Sequence, residues 1–423
     1  MSSTKVFTIH GKGLKFNSRA DFQQYLDELK AVDGVEEIHL GGNTFGVEAC
    51  EALAEALKGN TTLKVADLAD IFTGRLISEI PQALSAICNA LISIPSLVEL
   101  NLSDNAFGGR SAEPMVPFLT QHRTFSILKL NNNGLGVWGG ETVAKALSES
   151  ARLSKAEGKP SALRTVICGR NRLENGSAPF WAEAFKAHGG LVEVRMFQNG
   201  IRMDGVEAIA KGLSGCPDLE VFDLQDNTFT ERGSRAVALA LPSWPKLREL
   251  NLSDCLLKPN GGLALGTVFI QGVNPNLQVL KLAYGEFDGR TINMIAKAIK
   301  DYWPHLRVLE LNGNVADPDD ECITNVKDAL EGHGQEDALD DLDDMMDEAE
   351  LEEEEEEVHP AVAEAEEIDR REAEEEAAAP KPPAASILDK IAAPTLQEKV
   401  TDATDALADM LSAVSLGDKP AAT

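Results

Sequence analysis

A repeat constrains this chain more than any other feature of it. One template, L-x-x-L-x-L-x-x-N-x-F/L-G, recurs ten times, starting at Val35, Leu63, Leu97, Phe125, Leu163, Leu191, Leu219, Leu247, Leu277 and Leu306. Five of the nine intervals are 28 residues long, and the two longest, 34 and 38, mark insertions. A degenerate copy around Phe7 and Ile9, followed by Phe22, Tyr25, Leu26 and Leu29 at helical spacing, brings the total to about eleven units. Self-similarity at this period means units that cannot bury their own apolar faces and must stack to do so.

Each unit reads as a strand followed by a helix. In Leu97–Gly108, Leu100 and Leu102 point from a short strand to one side, and Leu97 and Phe107 close the same interior. Asn105, at the ninth template position, is expected to turn inward and bond backbone groups of the neighbouring turns, which otherwise lack partners. Asn43, Asn133, Asn171, Asn199, Asn227 and Asn314 hold the same position; Cys255 replaces it once, and Ile71 and Gly285 break the series. After Gly46, the residues Cys50, Leu53, Ala54 and Leu57 share one helical stripe, with Asn60 placed to cap the last turn. The fold class is therefore α/β: a leucine-rich-repeat solenoid, a crescent with parallel strands on its concave face and helices on its convex face. Ile323, Val326 and Leu330 read as a capping helix beyond the last strand, Leu306–Leu311.

Charge divides the chain. Of the formal net charge of −30, the 41 residues from Glu336 to Glu376 carry −21. Such a block repels itself and has little apolar surface to offset the cost of ordering, so it reads as disordered. The expected organisation is a crescent with its capping helix over residues 1–334, a disordered acidic tail over 335–376 and an Ala/Pro-rich linker over 377–394. A weak amphipathic helix and a disordered C-terminus are expected over 395–423, where Leu396, Val400, Leu407, Leu411 and Val414 share a stripe. The acidic balance argues against nucleic acid as a partner, because that affinity rests on Lys and Arg displacing counterions. No apolar run approaches the ~18 residues of a membrane span, and the N-terminus lacks a signal-peptide pattern, so an intracellular soluble chain without membrane contact is expected. Six singly placed cysteines predict neither disulfides nor zinc.

The sequence contains no G-x-x-x-x-G-K-[ST] loop, no G-x-S-x-G and no metal-ligand spacing, so no cofactor, no metal and no self-contained enzyme are expected. Macromolecule binding is the default for such a surface. The eighth template position forms a column at one rim: Asp70, Asp104, Asn132, Arg170, Gln198, Asp226 and Asp254. In Asn131–Gly134 only Asn133 is needed for the asparagine ladder, which leaves Asn131 and Asn132 for a partner. The unit from Leu63 carries Ile71–Arg75 where its ladder residue should be. Phe72 can fill the core or join Arg75 in a contact patch, and Arg75 has no evident structural purpose. The polar insertion Ala151–Pro160 reads as a loop.

These residues resemble the fungal and plant Ran GTPase-activating proteins. The similar segments are Asp70–Arg75, Leu102–Gly108, Asn132–Gly136, Cys168–Gly176, Gln198–Arg202, Asp223–Thr230 and Leu309–Asn314, in order along the repeats and followed by an acidic tail. Ile387–Val414 does not resemble the larger C-terminal domain of animal members. The resemblance implies a regulator, not itself an enzyme, that binds Ran in its GTP state, alone or with a Ran-binding protein. It would stimulate hydrolysis by ordering the GTPase's own glutamine without an arginine finger, in support of nucleocytoplasmic transport. Asn132 would lie nearest the chemistry, and Arg75 would be required without being inserted. Together with the rim column this assigns partner contacts to Asp70, Phe72, Asp104, Asn131, Arg170, Gln198 and Asp226, in a monomer located in the cytoplasm and concentrated at the cytoplasmic side of the nuclear envelope. The alternative is a non-catalytic repeat module that inhibits or scaffolds a basic protein. Ribonuclease inhibitors look so, but they are richer in cysteine and lack segments like Asp70–Arg75 and Cys168–Gly176.

Overall fold

The computed structural model describes residues 5–346. The acidic run beyond residue 346, the linker and the C-terminal amphipathic segment lie outside the described residues. The chain divides into two compact units, one formed by residues up to Ile201 with Gly215–Leu224, the other by Arg202–Ser214 with residues from Gln225 onward.

The first unit carries strands β1 (Val6–Thr8), β2 (Lys15–Phe16), β3 (Glu37–His39), β4 (Thr44–Phe45), β5 (Val65–Asp67), β6 (Glu99–Asn101), β7 (Ile127–Lys129), β8 (Thr165–Ile167), β9 (Glu193–Arg195) and β10 (Val221–Asp223). β2 and β4 pair with each other, and the remaining eight lie parallel in sequence order. Leu100 stands between Ala66 and Leu128, its counterparts in the adjoining repeats. The helices are α1 (Arg19–Ala31), α2 (Val47–Leu57), α3 (Ile80–Ile92), α4 (Val116–Gln121), α5 (Gly136–Ala156) and α6 (Glu174–His188). The second unit holds helices α7 (Met203–Leu213), α8 (Thr230–Ala240), α9 (Lys258–Phe269), α10 (Gly289–Tyr302) and α11 (Glu321–Glu331). Its strands β11 (Glu249–Asn251), β12 (Val279–Lys281) and β13 (Val308–Glu310) are again parallel and in order. Strand-helix alternation at the repeat period is the expected leucine-rich-repeat architecture.

The asparagine ladder works as its chemistry requires. Asn105 Nδ2 donates to the carbonyls of Leu68 and Leu102 at 3.0 and 2.8 Å, while its Oδ1 accepts from Ile71 N and Phe72 N. Asn133 Nδ2 reaches Leu102 O and Leu130 O, and its Oδ1 takes the Asn105 N–H at 2.9 Å. Each amide thus satisfies buried groups on two turns at once. Ile71 and Gly285 break the side-chain series but not the backbone one, since their N–H groups still donate to Asn105 and Asn314. On α2, Cys50, Leu53 and Leu57 are buried as the stripe predicts. Asn60 braces the following loop through Thr62 N and Leu63 N, two residues beyond the helix cap at Lys58.

Two expectations are corrected. Ala151–Pro160 is not simply a loop: α5 continues to Ala156, because Leu147, Ser150, Ala151 and Ser154 make a buried face at three- and four-residue spacing. The ordered chain also passes the predicted boundary at 334. α11 buries Ile323, Val326 and Leu330 as foreseen, yet among the described residues no further strand follows β13 to pair with it. Residues 339–346 fill that role, with Leu339 bridging Leu309 and Met346 bridging Val315 in parallel fashion. The Asp340 carboxylate accepts from Leu311 N and Asn312 N at 2.9 and 3.1 Å. An acidic segment suits this edge because the unpaired strand offers it N–H donors.

All six cysteines are free and buried, and burial pushes the Cys88 and Cys168 thiols up to about 12. Among the described residues no helix is long and apolar enough to cross a membrane, and no cluster of metal-ligating side chains occurs.

Candidate functional site

The rim column has a common backbone conformation. In the first unit Asp70, Asp104, Asn132, Arg170 and Gln198 have φ of 49°, 60°, 52°, 55° and 50°. In the second, Asp226, Asp254 and Tyr284 have 54°, 55° and 52°. The left-handed region costs most side chains roughly 1 kcal/mol and is tolerated best by Asn and Asp. Backbone bonds hold it here: the N–H groups of Asp70, Asp104, Asn132 and Arg170 each donate to a carbonyl of the next repeat, Ser103, Asn131, Gly169 and Phe197, at 2.8–2.9 Å.

Asn132 is exposed at this turn. Its Nδ2 donates to Asp104 Oδ1 at 3.0 Å. A carboxylate can only accept, so Asp104 fixes which end of the amide is nitrogen. The other end, Oδ1, has no partner among the described residues and stays open to solvent with one remaining Nδ2 proton. Asn131 is corrected as a free partner residue: its Oδ1 accepts from Gly169 N at 2.7 Å, joining two repeats. Phe72 is also corrected. It is 2% exposed and fills the core, so the contact patch loses it.

Arg75 has a structural purpose after all. Its Nε donates to Thr44 Oγ1 at 2.9 Å, Nη1 to Asn17 Oδ1 at 2.7 Å, and Nη2 to the carbonyls of Phe16 and Thr44 at 3.1 and 3.0 Å. The planar fork ties the inserted loop to β2 and β4. Asp70 accepts the Thr73 hydroxyl, closing the loop's other end. Arg170 and Gln198 are exposed, and among the described residues nothing pairs with either side chain. Asp226 is exposed on the second unit.

Sequence reasoning passed over two neighbours of these residues. Leu76 and Ile77 follow Arg75 directly and are 67% and 59% exposed, on a loop that the guanidinium holds in place. Two adjacent apolar residues off the helical stripe of an insertion were the available signal. Trp138, in the first turn of α5 and six residues past Asn132, is half exposed. On the strand face His39 lies between Glu37 and Asp67 at 3.0 and 3.1 Å; burial opposes its charge, but the two carboxylates outweigh it and hold its pKa above the ordinary value.

A Leucine Rich repeat family model matches residues 93–116 and 245–266. Ran GTPase-activating protein 1 of Saccharomyces cerevisiae is 42% identical over 328 residues, covering 75% of this chain and 80% of the yeast protein. The chain belongs to the Ran GTPase-activating protein family. Two animal relatives of that family match over shorter spans. The Xenopus laevis Ran GTPase-activating protein 1 is 46% identical over 194 residues, 45% of this chain and 33% of its own length. The Drosophila melanogaster Ran GTPase-activating protein is 38% identical over 217 residues, 51% of this chain and 36% of its own. These Ran GTPase-activating proteins bear out the family resemblance drawn from the repeat motifs.

Proposed function

We propose that this chain binds Ran in its GTP state and stimulates hydrolysis by ordering the GTPase's catalytic glutamine and attacking water through Asn132, with no arginine finger. One observation carries the reading: the Asn132 amide is exposed, oriented by Asp104, and open at its acceptor end. Phosphoryl transfer leaves an activator little covalent work, so an oriented amide that restrains a glutamine in line supplies what the reaction lacks. Asn132 Oδ1 would accept from the glutamine amide, and its free Nδ2 proton would donate to the glutamine carbonyl or the water.

The absence of a finger finds support in Arg75, whose nitrogens are all engaged within the chain. Arg75 then acts by holding the loop that presents Leu76 and Ile77, an apolar contact beside the rim. Arg170, Gln198, Asp70 and Asp104 supply polar contacts on the first unit, and Asp226 supplies one on the second. We further propose that the protein works as a cytoplasmic monomer supporting nucleocytoplasmic transport, alone or with a Ran-binding protein.

The test is single-turnover GTP hydrolysis by purified Ran. Wild-type protein is expected to accelerate it, and Asn132→Gly, which keeps the left-handed turn without strain, to lose about 10²–10³ of the acceleration. Near-normal stimulation by that variant would remove Asn132 from the mechanism.

A further inference from the structure

Trp138 stands half exposed in the first turn of α5, six residues after Asn132. Among the described residues of the first unit it is the exposed aromatic side chain, and the core does not use it. The other three tryptophans, Trp181, Trp244 and Trp303, are all buried. The Trp138 indole N–H has no partner among the described residues.

The turn that carries this ring is held from both sides. A Cβ on Gly139 would lie 2.9 Å from Gly109 Cα of the preceding repeat, and one on Gly140 would lie 2.5 Å from Leu173 Cδ2 of the following repeat. Both approaches are closer than a side chain allows, so glycine lets the helix entry wedge between its neighbours. The Cε3 edge of the ring faces Gly109, where an added Cβ would be 3.5 Å from it. Arg110, next in the 3-10 turn Gly109–Ser111, is exposed and likewise has no partner among the described residues. The two repeats that supply Asp104 and Asn132 therefore also supply Arg110 and Trp138, in the same order, at the entries to their helical halves.

We propose that Trp138 is the anchor that sets the affinity for GTP-bound Ran, with Arg110 beside it as a charged contact, and that it seats the partner for Asn132; this rests on the reading of Asn132 given above. Tryptophan and arginine side chains that become buried on association carry a disproportionate share of binding energy. An indole fixed in place beforehand gives up little freedom when it is covered. The surface that fits it is an apolar depression with an oxygen acceptor for the indole N–H and a carboxylate for Arg110. Asn132 adds little area and acts through geometry. Affinity and rate are thereby divided between two side chains of one repeat.

The experiment uses the full chain labelled with 5-fluorotryptophan, which gives one fluorine resonance for each of its four tryptophans. Trp138→Phe assigns the exposed one. Adding Ran loaded with a non-hydrolysable GTP analogue should shift that resonance and leave those of the buried Trp181, Trp244 and Trp303 in place. In stimulated hydrolysis Trp138→Ala should raise KM for GTP-bound Ran about thirtyfold, with kcat held within about twofold and the unfolding midpoint unchanged. Asn132→Gly should do the reverse, losing kcat at an unchanged KM. A Trp138 resonance that stays put in a complex that forms, or an unchanged KM in Trp138→Ala, overturns the anchor and leaves the reading of Asn132 standing. Failure of the wild-type chain to stimulate Ran removes that reading and the anchor with it.

Discussion

The same turn serves opposite ends in two parts of the molecule. Asn132, on the first unit, and Tyr284, on the second, both occupy the eighth position of a repeat with φ near 52°. Asn132 keeps one end of its amide open to solvent, while the Tyr284 hydroxyl donates to Asp344 of the edge segment at 2.8 Å. The backbone of the column is set by bonds between repeats, so the side chain is free to be assigned to a partner or to the fold. A finer contrast lies within one turn: Asn132 is exposed, and Asn133 beside it is fully buried in the ladder.

The sharpest way to break this contrast is to change the two asparagines separately. Asn133→Ala strands the Asn105 N–H and two carbonyls and should cost about 3 kcal/mol or more of stability, read by denaturant unfolding. Asn132→Gly should leave the unfolding midpoint nearly unchanged while removing about 10²–10³ of the stimulated rate. If both variants shifted the same observable, the division between fold and function would collapse. Arg75→Ala comes next. It should lower stability by about 2 kcal/mol with no GTPase present, through loss of the fork to Thr44, Asn17 and Phe16. Arg75→Lys should recover less than half of that. An Arg75→Ala protein of normal stability but no activity would instead mark a residue acting on the partner.

Smaller effects test the periphery. Leu76→Ser with Ile77→Ser should weaken the affinity for GTP-bound Ran about tenfold with unchanged Tm, measured by titration calorimetry, since the pair is already in water before binding. Tyr284→Phe should cost about 1 kcal/mol of stability and none of the stimulated hydrolysis. Last is pH. The folded pKa of His39 is raised, so its contribution is complete below the ordinary value near 6.5 and fades as pH rises through the folded value. An NMR titration giving a folded pKa below the ordinary value would contradict the carboxylate pairing.

Most of the fold was legible because leucine spacing and the ladder asparagines are imposed by stacking, and stacking repeats. What escaped was where one repeat departs from the rest. Arg75 looked idle because its partners, Asn17 and Thr44, lie 58 and 31 residues away in sequence. Asn131 looked spare because its bond to Gly169 spans 38 residues, across the longest repeat interval. The helical extension to Ala156 was hidden by polarity: its buried face is built partly from Ser150 and Ser154, whose hydroxyls accept from Arg123. Of the candidate site, the column and Asn132 were readable from template position, whereas the orientation of the amide by Asp104 required coordinates.

A parallel stack has no natural last member, since every strand presents a template for another. By placing the Asp340 carboxylate against the N–H groups of Leu311 and Asn312, the chain supplies the acceptor that a further repeat would have brought. The start of the acidic region is thus a stop signal for repetition. The edge of β13 is thereby covered by acidic chain in place of another leucine-rich strand.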